Sequence, residues 1–360
     1  MIGRQVQRES RAWACDVMMV VMLTRRLRCA AVVLVLALSG CGVDASSPPA
    51  GTGLPPPAEP AEAPALTRPP AGQVVPVGPI AEGVVADPVT GIVAVGLRDP
   101  FRLALVDGSS GEVRREVPLP GHLRHLQRAA PGGPVLVPAE SADAVLQVGL
   151  PDGEVLSRVG VGDFPHDATA TASGSVVVAN EFGGTVSVVE DGRVVYTFDD
   201  ATQPGGLAAV GERVGMVDVR ENTLTVYDIA RRERIAELPA GAGPTHSVAD
   251  RRGRILVSDT RGDAIGVFTL DPQPRMLDRL PLPGSPYGLA YDTTRDRLWV
   301  TLTATNEVVG IDLGGDEPRV ITRLPTIRQP NTVAVNPETG RLFVASPTEG
   351  AVQLIDPPRS

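Results

Sequence analysis

Short stretches of alternating apolar and polar residues run along the chain from about residue 73 onward, separated by turns rich in Gly, Asp and Pro. Alternation with a period of two is typical of β-strands that have one buried face. Examples are GLAYD at 288–292, RLWVT at 297–301, TVSVV at 185–189 and RVVYTF at 193–198. Because no segment shows a convincing helical period, the pattern predicts an all-β protein.

The strands recur in a unit of about 41 residues that is repeated seven times. Each unit has four short strands, which describes one blade of a β-propeller. We therefore predict a single seven-bladed ring over residues 72–358, although a length of 360 residues would suggest two domains. A β-sandwich or a β-solenoid fits this period less well. The turns before the first strands align at Ala81, Arg124, Pro165, Pro204, Pro244, Pro286 and Pro330.

The seventh unit ends after its third strand, near Ile355, and its fourth strand is missing. Residues 72–87 align with residues 275–292, which places Val74, Val75 and Val77 in a fourth strand that precedes a first strand. We therefore expect residues 73–77 to complete the last blade and close the ring. Closure of this kind removes an exposed sheet edge.

The sequences VVVANEFGGTVSVV (176–189) and DRLWVTLTATNEVVGID (296–312) resemble the repeats of YVTN-type, YncE-like propellers of exported bacterial proteins. The resemblance covers about 280 residues and implies a seven-bladed propeller. It implies no particular activity, because propellers serve as enzymes, binding modules and scaffolds alike. The Trp-Asp and Gly-His signatures of WD40 blades are absent from the sequence.

The first 41 residues have the features of an export signal. From Met22 the chain reads MLTRRLRCAAVVLVLALSGC, which is a basic start, an apolar stretch and a Leu-Ser-Gly-Cys ending at Cys41. The apolar stretch is shorter than the roughly 20 residues that a membrane-spanning helix needs. The ending is similar to the lipobox of bacterial lipoproteins, in which the Cys becomes the acylated first residue. We assign residues 1–40 to a signal peptide and expect its true first residue to be Met22. We expect Cys41 to carry the lipid.

Residues 41–71 differ in composition from both neighbouring parts of the chain. Nine of the thirty residues from 42 to 71 are Pro, and large apolar residues are almost missing. Such a segment cannot form a core, so its composition predicts a disordered tether between the lipid and the ring. These features together predict a lipid-anchored protein on the extracytoplasmic face of the cell membrane.

The charge of the chain limits its partners. All 33 basic residues are Arg, and they are outnumbered by 42 Asp and Glu, for a net charge of −9. Removal of residues 1–40 takes away six Arg and two acids, so the net charge becomes −13. A nucleic-acid partner is excluded, since phosphate binding needs a basic face. All three Cys lie in the first 41 residues, so the ring has no disulfide, and we expect a monomer.

All four His of the chain fall where a blade begins, at His122, His125, His166 and His246. His125 and His166 are 41 residues apart, and so are Glu140 and Glu181. Both pairs are predicted to lie at the mouth of the propeller channel.

The residue types of this group suit two kinds of chemistry. With Asp167, the two His and two Glu are suited to hold a divalent metal, or to act as acid and base. The alternative is that Glu140 and Glu181 are solvated loop carboxylates. His246 aligns one position after His166, which in a regular strand reverses the side chain and disfavours a site of three His.

Further charged and polar residues are expected on the same face, where they would suit recognition of a polar ligand or partner loop, or would simply be solvated. They are Arg98, Asp99, Asn180, Asp218, Arg220, Asp259, Arg261 and Asp263.

These features favour a binding or scaffolding module at the cell envelope, with an envelope protein or a small polar ligand as partner. No cofactor is expected, and nothing in the sequence requires catalysis. The alternative is a metal-assisted lyase or hydrolase centred on His125, His166, Glu140 and Glu181. The Pro165-His166 step is similar to the blade entries of propeller lyases. However, the equivalent positions of other blades hold different residues, which disfavours a transfer of lyase chemistry.

Overall fold

The computed structural model describes residues 53–315 and 317–358. These residues form seven four-stranded antiparallel sheets, arranged as the blades of a ring. Within the described ranges the helical content is limited to one 3₁₀ turn, Glu140–Ala142. No helix in this part of the chain is long and apolar enough to cross a membrane. The predicted signal peptide and Cys41 lie outside the described residues.

The blades follow one another along the chain, and each runs from an innermost to an outermost strand. The first three are β2 (Ala81–Ala86), β3 (Ile92–Arg98), β4 (Phe101–Asp107) and β5 (Val113–Pro118); β6 (Gln127–Arg128), β7 (Val135–Ala139), β8 (Ala144–Val148) and β9 (Val155–Gly160); and β10 (Pro165–Ala170), β11 (Val176–Asn180), β12 (Thr185–Glu190) and β13 (Arg193–Phe198).

The remaining blades have the same order of strands. They are β14 (Pro204–Val210), β15 (Arg213–Asp218), β16 (Thr223–Asp228) and β17 (Glu233–Pro239); β18 (Pro244–Ala249), β19 (Arg254–Asp259), β20 (Ala264–Thr269) and β21 (Arg275–Pro281); β22 (Pro286–Asp292), β23 (Arg297–Leu302), β24 (Glu307–Asp312) and β25 (Arg319–Pro325); and β26 (Thr332–Val335), β27 (Leu342–Ser346) and β28 (Ala351–Ile355) with β1 (Gln73–Pro76).

The ring closes as the sequence predicts. Strand β1, from the start of the domain, pairs with β28 at its end, with Gln73 opposite Leu354 and Pro76 opposite Ala351. Strand β1 is therefore the outermost strand of the seventh blade. The seven-bladed fold and its closure by an N-terminal strand are both confirmed.

The core consists of apolar layers between neighbouring blades. Where the sixth and seventh blades meet, Trp299 and Val308 pack with Val333 and Val344. Burial of such a side chain contributes about 1.5–3 kcal/mol. Most layers are filled by Val, Leu, Ile and Ala, in line with the low aromatic content of 3%.

The innermost strands are irregular at their beginning, which positions the residues of the channel mouth. In five blades the register between the first and second strands shifts within the first few residues of the first strand. The shift lies between Pro165 and Asp167 in β10, and between Pro244 and Ser247 in β18. A bulge of this kind turns the side chains beside it away from the directions of a regular strand.

Residues 53–71, the described part of the predicted tether, lie against the ring. We call them the strap. The amide N–H groups of Ala61 and Ala63 donate to Thr303 Oγ1 and Gln329 Oε1, over 3.0 and 2.8 Å. The side chains of Ala58 and Ala63 are buried. Residues 53–71 are therefore not the disordered tether that their composition predicts, because polar side chains of the ring bind their backbone.

Candidate functional site

Three histidines from three blades meet at the beginning of the innermost strands. His125 precedes β6, while His166 and His246 lie among the irregular first residues of β10 and β18. One ring nitrogen from each lies within 4.8 Å of the other two. His166 and His246 are buried, and His125 is half-buried.

The meeting of these three side chains corrects the expectation that His246 points away from His166. That expectation assumed a regular strand, in which neighbouring residues face opposite sides. The bulges in β10 and β18 break this alternation, so His246 joins the other two.

The ring of His246 is held in one orientation. Its Nδ1 lies 3.0 Å from the carbonyl oxygen of Tyr287, which can only accept, so Nδ1 carries the proton. The unprotonated Nε2 then accepts from Nε2 of His125, also over 3.0 Å. Burial and the charge of His166 lower the pKa of His246 to about 3, and burial holds the pKa of His125 well below its usual range. Both rings are therefore neutral at pH 7.

His166 is held by two carboxylates. Its Nδ1 lies 3.1 Å from Oε1 of Glu140 and 3.2 Å from Oε2 of Glu181. Burial disfavours the charged ring, but the two carboxylates outweigh burial and raise its pKa to about 10. With Nδ1 bound to carboxylate, Nε2 is the nitrogen left to face the cluster.

Glu140 and Glu181 are not solvated loop carboxylates. Glu140 begins the 3₁₀ turn and is fully buried; its Oε2 lies 2.8 Å from Nε2 of His122, and Arg124 Nε approaches Oε1 to 3.8 Å. Glu181 also accepts from Nε2 of Gln203 over 2.9 Å. Burial would raise the pKa of Glu181, but His166 outweighs burial and lowers it to about 2. Glu140 and Glu181 both contact His166, whereas His125 contacts His246.

Asp167 does not join the histidines. Its two oxygens accept from Nε2 of Gln127 over 3.0 Å, and Oδ2 also accepts from the backbone N–H of Leu207 over 2.8 Å. Burial raises its pKa to about 6. Asp167 therefore connects three neighbouring blades through Gln127 and Leu207, and it is not one of the three residues of the cluster.

The histidines border the central channel. A cavity of about 430 Å³ extends from His125, Asp167 and His246 to Arg128 and Pro131. Small apolar side chains of the innermost strands form most of its wall, among them Ala86, Ala170, Ala208, Ala249, Ala290 and Ala334.

The rim of the mouth is aromatic on one side. Phe101, His122, Phe164 and Phe182 follow one another across the first three blades, with ring centroids 5.7, 5.5 and 4.4 Å apart. Phe182 is 60% exposed. These rings form a surface beside the buried carboxylate of Glu140.

The sequence analysis missed several contributors to this site. The roles of Arg124, Gln203 and the Tyr287 carbonyl follow from contacts between blades, for which the chain has no local signal. The position of all four His at blade entries was a usable signal for His246.

Fold and site together define a seven-bladed β-propeller with a histidine cluster at its channel mouth. No protein family model matches the chain, and no curated protein matches it. The fold is similar to hydrazine synthase from Kuenenia stuttgartiensis, with a TM-score of 0.68 and 16% identity over 79% of this chain and 98% of that chain.

Two further solved structures have the same fold. Virginiamycin B lyase from Staphylococcus aureus has a TM-score of 0.64 and 14% identity over 79% of this chain and 99% of that chain. The Cps50 (Swd1) β-propeller domain from Myceliophteria thermophila has a TM-score of 0.66 and 16% identity, with the same coverage. At these identities the comparisons show the fold alone.

Proposed function

We propose that the protein is a lipid-anchored, extracytoplasmic propeller that binds a divalent transition metal, with Zn²⁺ as the best match, at its channel mouth. The observation that carries this proposal is the convergence of His125, His166 and His246. We also propose that the protein is a relative of the YVTN-type propeller lipoproteins that its repeats resemble.

Two of the three rings, His166 and His246, have the surroundings that are usual for metal ligands. A histidine that binds a metal usually donates its other N–H to a carbonyl or a carboxylate, which fixes the ring and makes it more basic. His246 donates to the Tyr287 carbonyl, and His166 contacts Glu140 and Glu181 in this way. The 3.0 Å between the Nε2 atoms of His125 and His246 is close to the roughly 3.3 Å that two ligands of a tetrahedral zinc span.

Three imidazole ligands and one open position are typical of a zinc site that can accept a further ligand. His246 is neutral with an unprotonated Nε2, so it would give its lone pair without loss of a proton. Nε2 of His125 would first pass its proton to Nδ1, and His166 would release one proton when the ion binds. The buried carboxylates would balance the charge of the ion. A binding module with a metal at its mouth can recognise an anionic or otherwise electron-donating group of a partner.

The proposal predicts stoichiometric zinc in the purified full chain and its loss in His246→Ala. Wild-type protein should also be stabilised by about 2.7 kcal/mol when free zinc is 100 times the dissociation constant. Metal analysis and thermal unfolding with and without zinc measure both effects.

His122→Ala is the matched control, because His122 contacts Glu140 but lies outside the cluster. It should keep one zinc per chain and the zinc-dependent rise in melting temperature. Zinc content that is equally low in wild-type protein and in His246→Ala would contradict the proposed site.

A metal-assisted lyase or hydrolase is the second candidate, favoured by the contact of His166 with two buried carboxylates beside the cluster. One solved structure similar in fold is a catalytically inactive histidine-to-alanine variant of virginiamycin B lyase with quinupristin. Zinc-dependent turnover of quinupristin or an activated ester, lost in His166→Ala, would favour this function. Absence of turnover by the zinc-loaded protein favours the binding module.

Lipid attachment is proposed from the Leu38-Ser39-Gly40-Cys41 sequence. We expect the protein to incorporate labelled fatty acid and to enter the detergent phase on phase separation. Cys41→Ser should remain in the aqueous phase, and Cys29→Ser should behave as wild type because Cys29 lies in the part removed. Equal labelling of the Cys41→Ser variant would contradict the anchor.

A further inference from the structure

The strap crosses the face of the ring that contains the channel mouth, and its contacts follow a line across four blades. Arg220 of the fourth blade donates to the carbonyl of Pro55, and Arg261 of the fifth donates to that of Pro56. Further along, Asn306 of the sixth blade donates to the carbonyl of Pro64 over 3.0 Å. The strap therefore lies along a continuous surface between the fourth and the seventh blade.

The ring recognises the backbone of the strap. Gln329 provides the clearest case: its Oε1 accepts from the N–H of Ala63, while its Nε2 donates to the carbonyl of Ala61 over 3.0 Å. Arg328 Nε adds a bond to the carbonyl of Ala63 over 3.1 Å. Contacts of this kind require an extended chain with free backbone groups, and they depend little on its side chains.

The side chains of the strap contribute less to recognition than its backbone, but they limit which residues fit at some positions. Ala58 and Ala63 are buried, so the surface accepts small residues at these two positions. A Cβ placed on Gly243 would lie 2.7 Å from Cβ of Ala58, which shows how closely the strap approaches the fifth blade. At the end of the strap, Arg68 pairs with Glu307 over 2.7 Å.

The composition of the strap fits this mode of binding. Proline-rich segments hold an extended conformation before they bind, so they lose less conformational entropy on binding than flexible chains. Recognition of a preformed extended peptide by side chains that bind its backbone is a recurring mode of peptide binding.

We propose that the loops of the fourth to seventh blades form a groove for an extended proline- and alanine-rich peptide with a basic residue near its end. Residues 55–68 occupy the groove as an intramolecular ligand, and a partner segment of the same chemistry can take their place. Because the strap is covalently attached, its effective concentration is high, and it suppresses binding of a free peptide. This proposal is independent of the metal site.

The test weakens the strap without a change in the groove. The double variant Ala61→Pro/Ala63→Pro, made in the full chain, removes the two N–H groups that donate hydrogen bonds to Thr303 and Gln329. Ala65→Pro is the matched control, since Ala65 is exposed and its N–H has no partner among the described residues. Binding of a fluorescent synthetic peptide with the sequence of residues 55–68 is followed by anisotropy.

The double variant should bind this peptide at least about tenfold more tightly than the wild type and Ala65→Pro, because its groove is free. Addition of Gln329→Ala to the double variant should remove most of that gain. A peptide with Pro in place of Ala61 and Ala63 should bind about tenfold more weakly than the native peptide. Circular dichroism establishes that each variant has kept the all-β fold.

Three results would overturn the proposal. The first is peptide binding that is equal in the wild type and the double variant. The second is a folded double variant that does not bind the peptide. The third is binding that is unchanged by Gln329→Ala.

Discussion

At the scale of single residues, one extra position in a strand decides which side chains reach the mouth. His246 follows the position that aligns with His166, and the bulge in β18 turns it into the same cluster. Asp167 shows the opposite case, because its oxygens are bound by Gln127 and the Leu207 backbone. Residue type and alignment alone therefore could not separate the ligand candidates from residues that hold the blades together.

Asp87 is a second buried carboxylate that joins two blades, and its contacts give stability a dependence on pH. It accepts from the backbone N–H groups of Thr90 and Gly132 and from Arg128. Burial raises the pKa of Asp87, but these donors outweigh burial and lower it below its ordinary 3.8. Its contribution to stability is therefore complete above the ordinary pKa and disappears as the pH falls through the lowered value.

We predict that Asp87→Asn lowers the free energy of unfolding at pH 7 by about 1–3 kcal/mol, because an amide cannot accept all of these bonds. The loss should shrink as the pH falls below 4. Urea titrations at several pH values measure both effects. Asp152→Asn, at an exposed turn, is the control and should change neither. A loss that stays constant from pH 7 down to pH 3 would refute this account of Asp87.

At the scale of strands, the joint between β1 and β28 depends on a buried polar side chain. Gln353, in β28, donates to the carbonyls of Ala71 and Pro325 over 2.6 and 3.1 Å, and accepts from the N–H of Ile327 over 2.8 Å. It thereby connects the segment before β1 with the loop between the sixth and seventh blades. The sequence predicts the strand pairing, but the role of this Gln follows only from the assembled ring.

We predict that Gln353→Ala lowers the free energy of unfolding by about 2–4 kcal/mol, because the N–H of buried Ile327 and the carbonyl of half-buried Ala71 lose this partner, and the carbonyl of Pro325 keeps the N–H of Ala71 alone of its two donors. Gln147→Ala is the control, since Gln147 also lies in the third strand of a blade and its side chain has no hydrogen bond among the described residues. Denaturant unfolding measures both. Equal midpoints for the two variants would show that Gln353 does not stabilise the closure.

At the scale of the whole molecule, the face with the channel mouth has two different halves. The strap lies on the fourth to seventh blades, while the aromatic rim from Phe101 to Phe182 lies on the first three. The histidine cluster lies at the beginning of the channel between them. A partner that reaches the cluster would therefore contact an aromatic surface on one side and a proline-rich one on the other.

The seven blades, their strand order and the closure could be predicted from the sequence, because repeated alternation is a local property of the chain. Two features could not. The histidine cluster depends on bulges, which shift single residues without a clear sequence signal. The docking of the strap depends on side chains such as Gln329 and Asn306, which are distant in sequence from Ala61 and Pro64.

The pairing of β1 with β28 also determines when the domain can complete its folding. The two strands stand at opposite ends of the domain, so the seventh blade cannot form until nearly all of the chain is present in one place. Joining ends this far apart carries a loop-closure entropy that local hairpins avoid, so we expect closure of the seventh blade to be slower than hairpin formation within the other blades. During synthesis β1 is complete long before its partner β28. The last blade can therefore form only after almost the whole domain has been made.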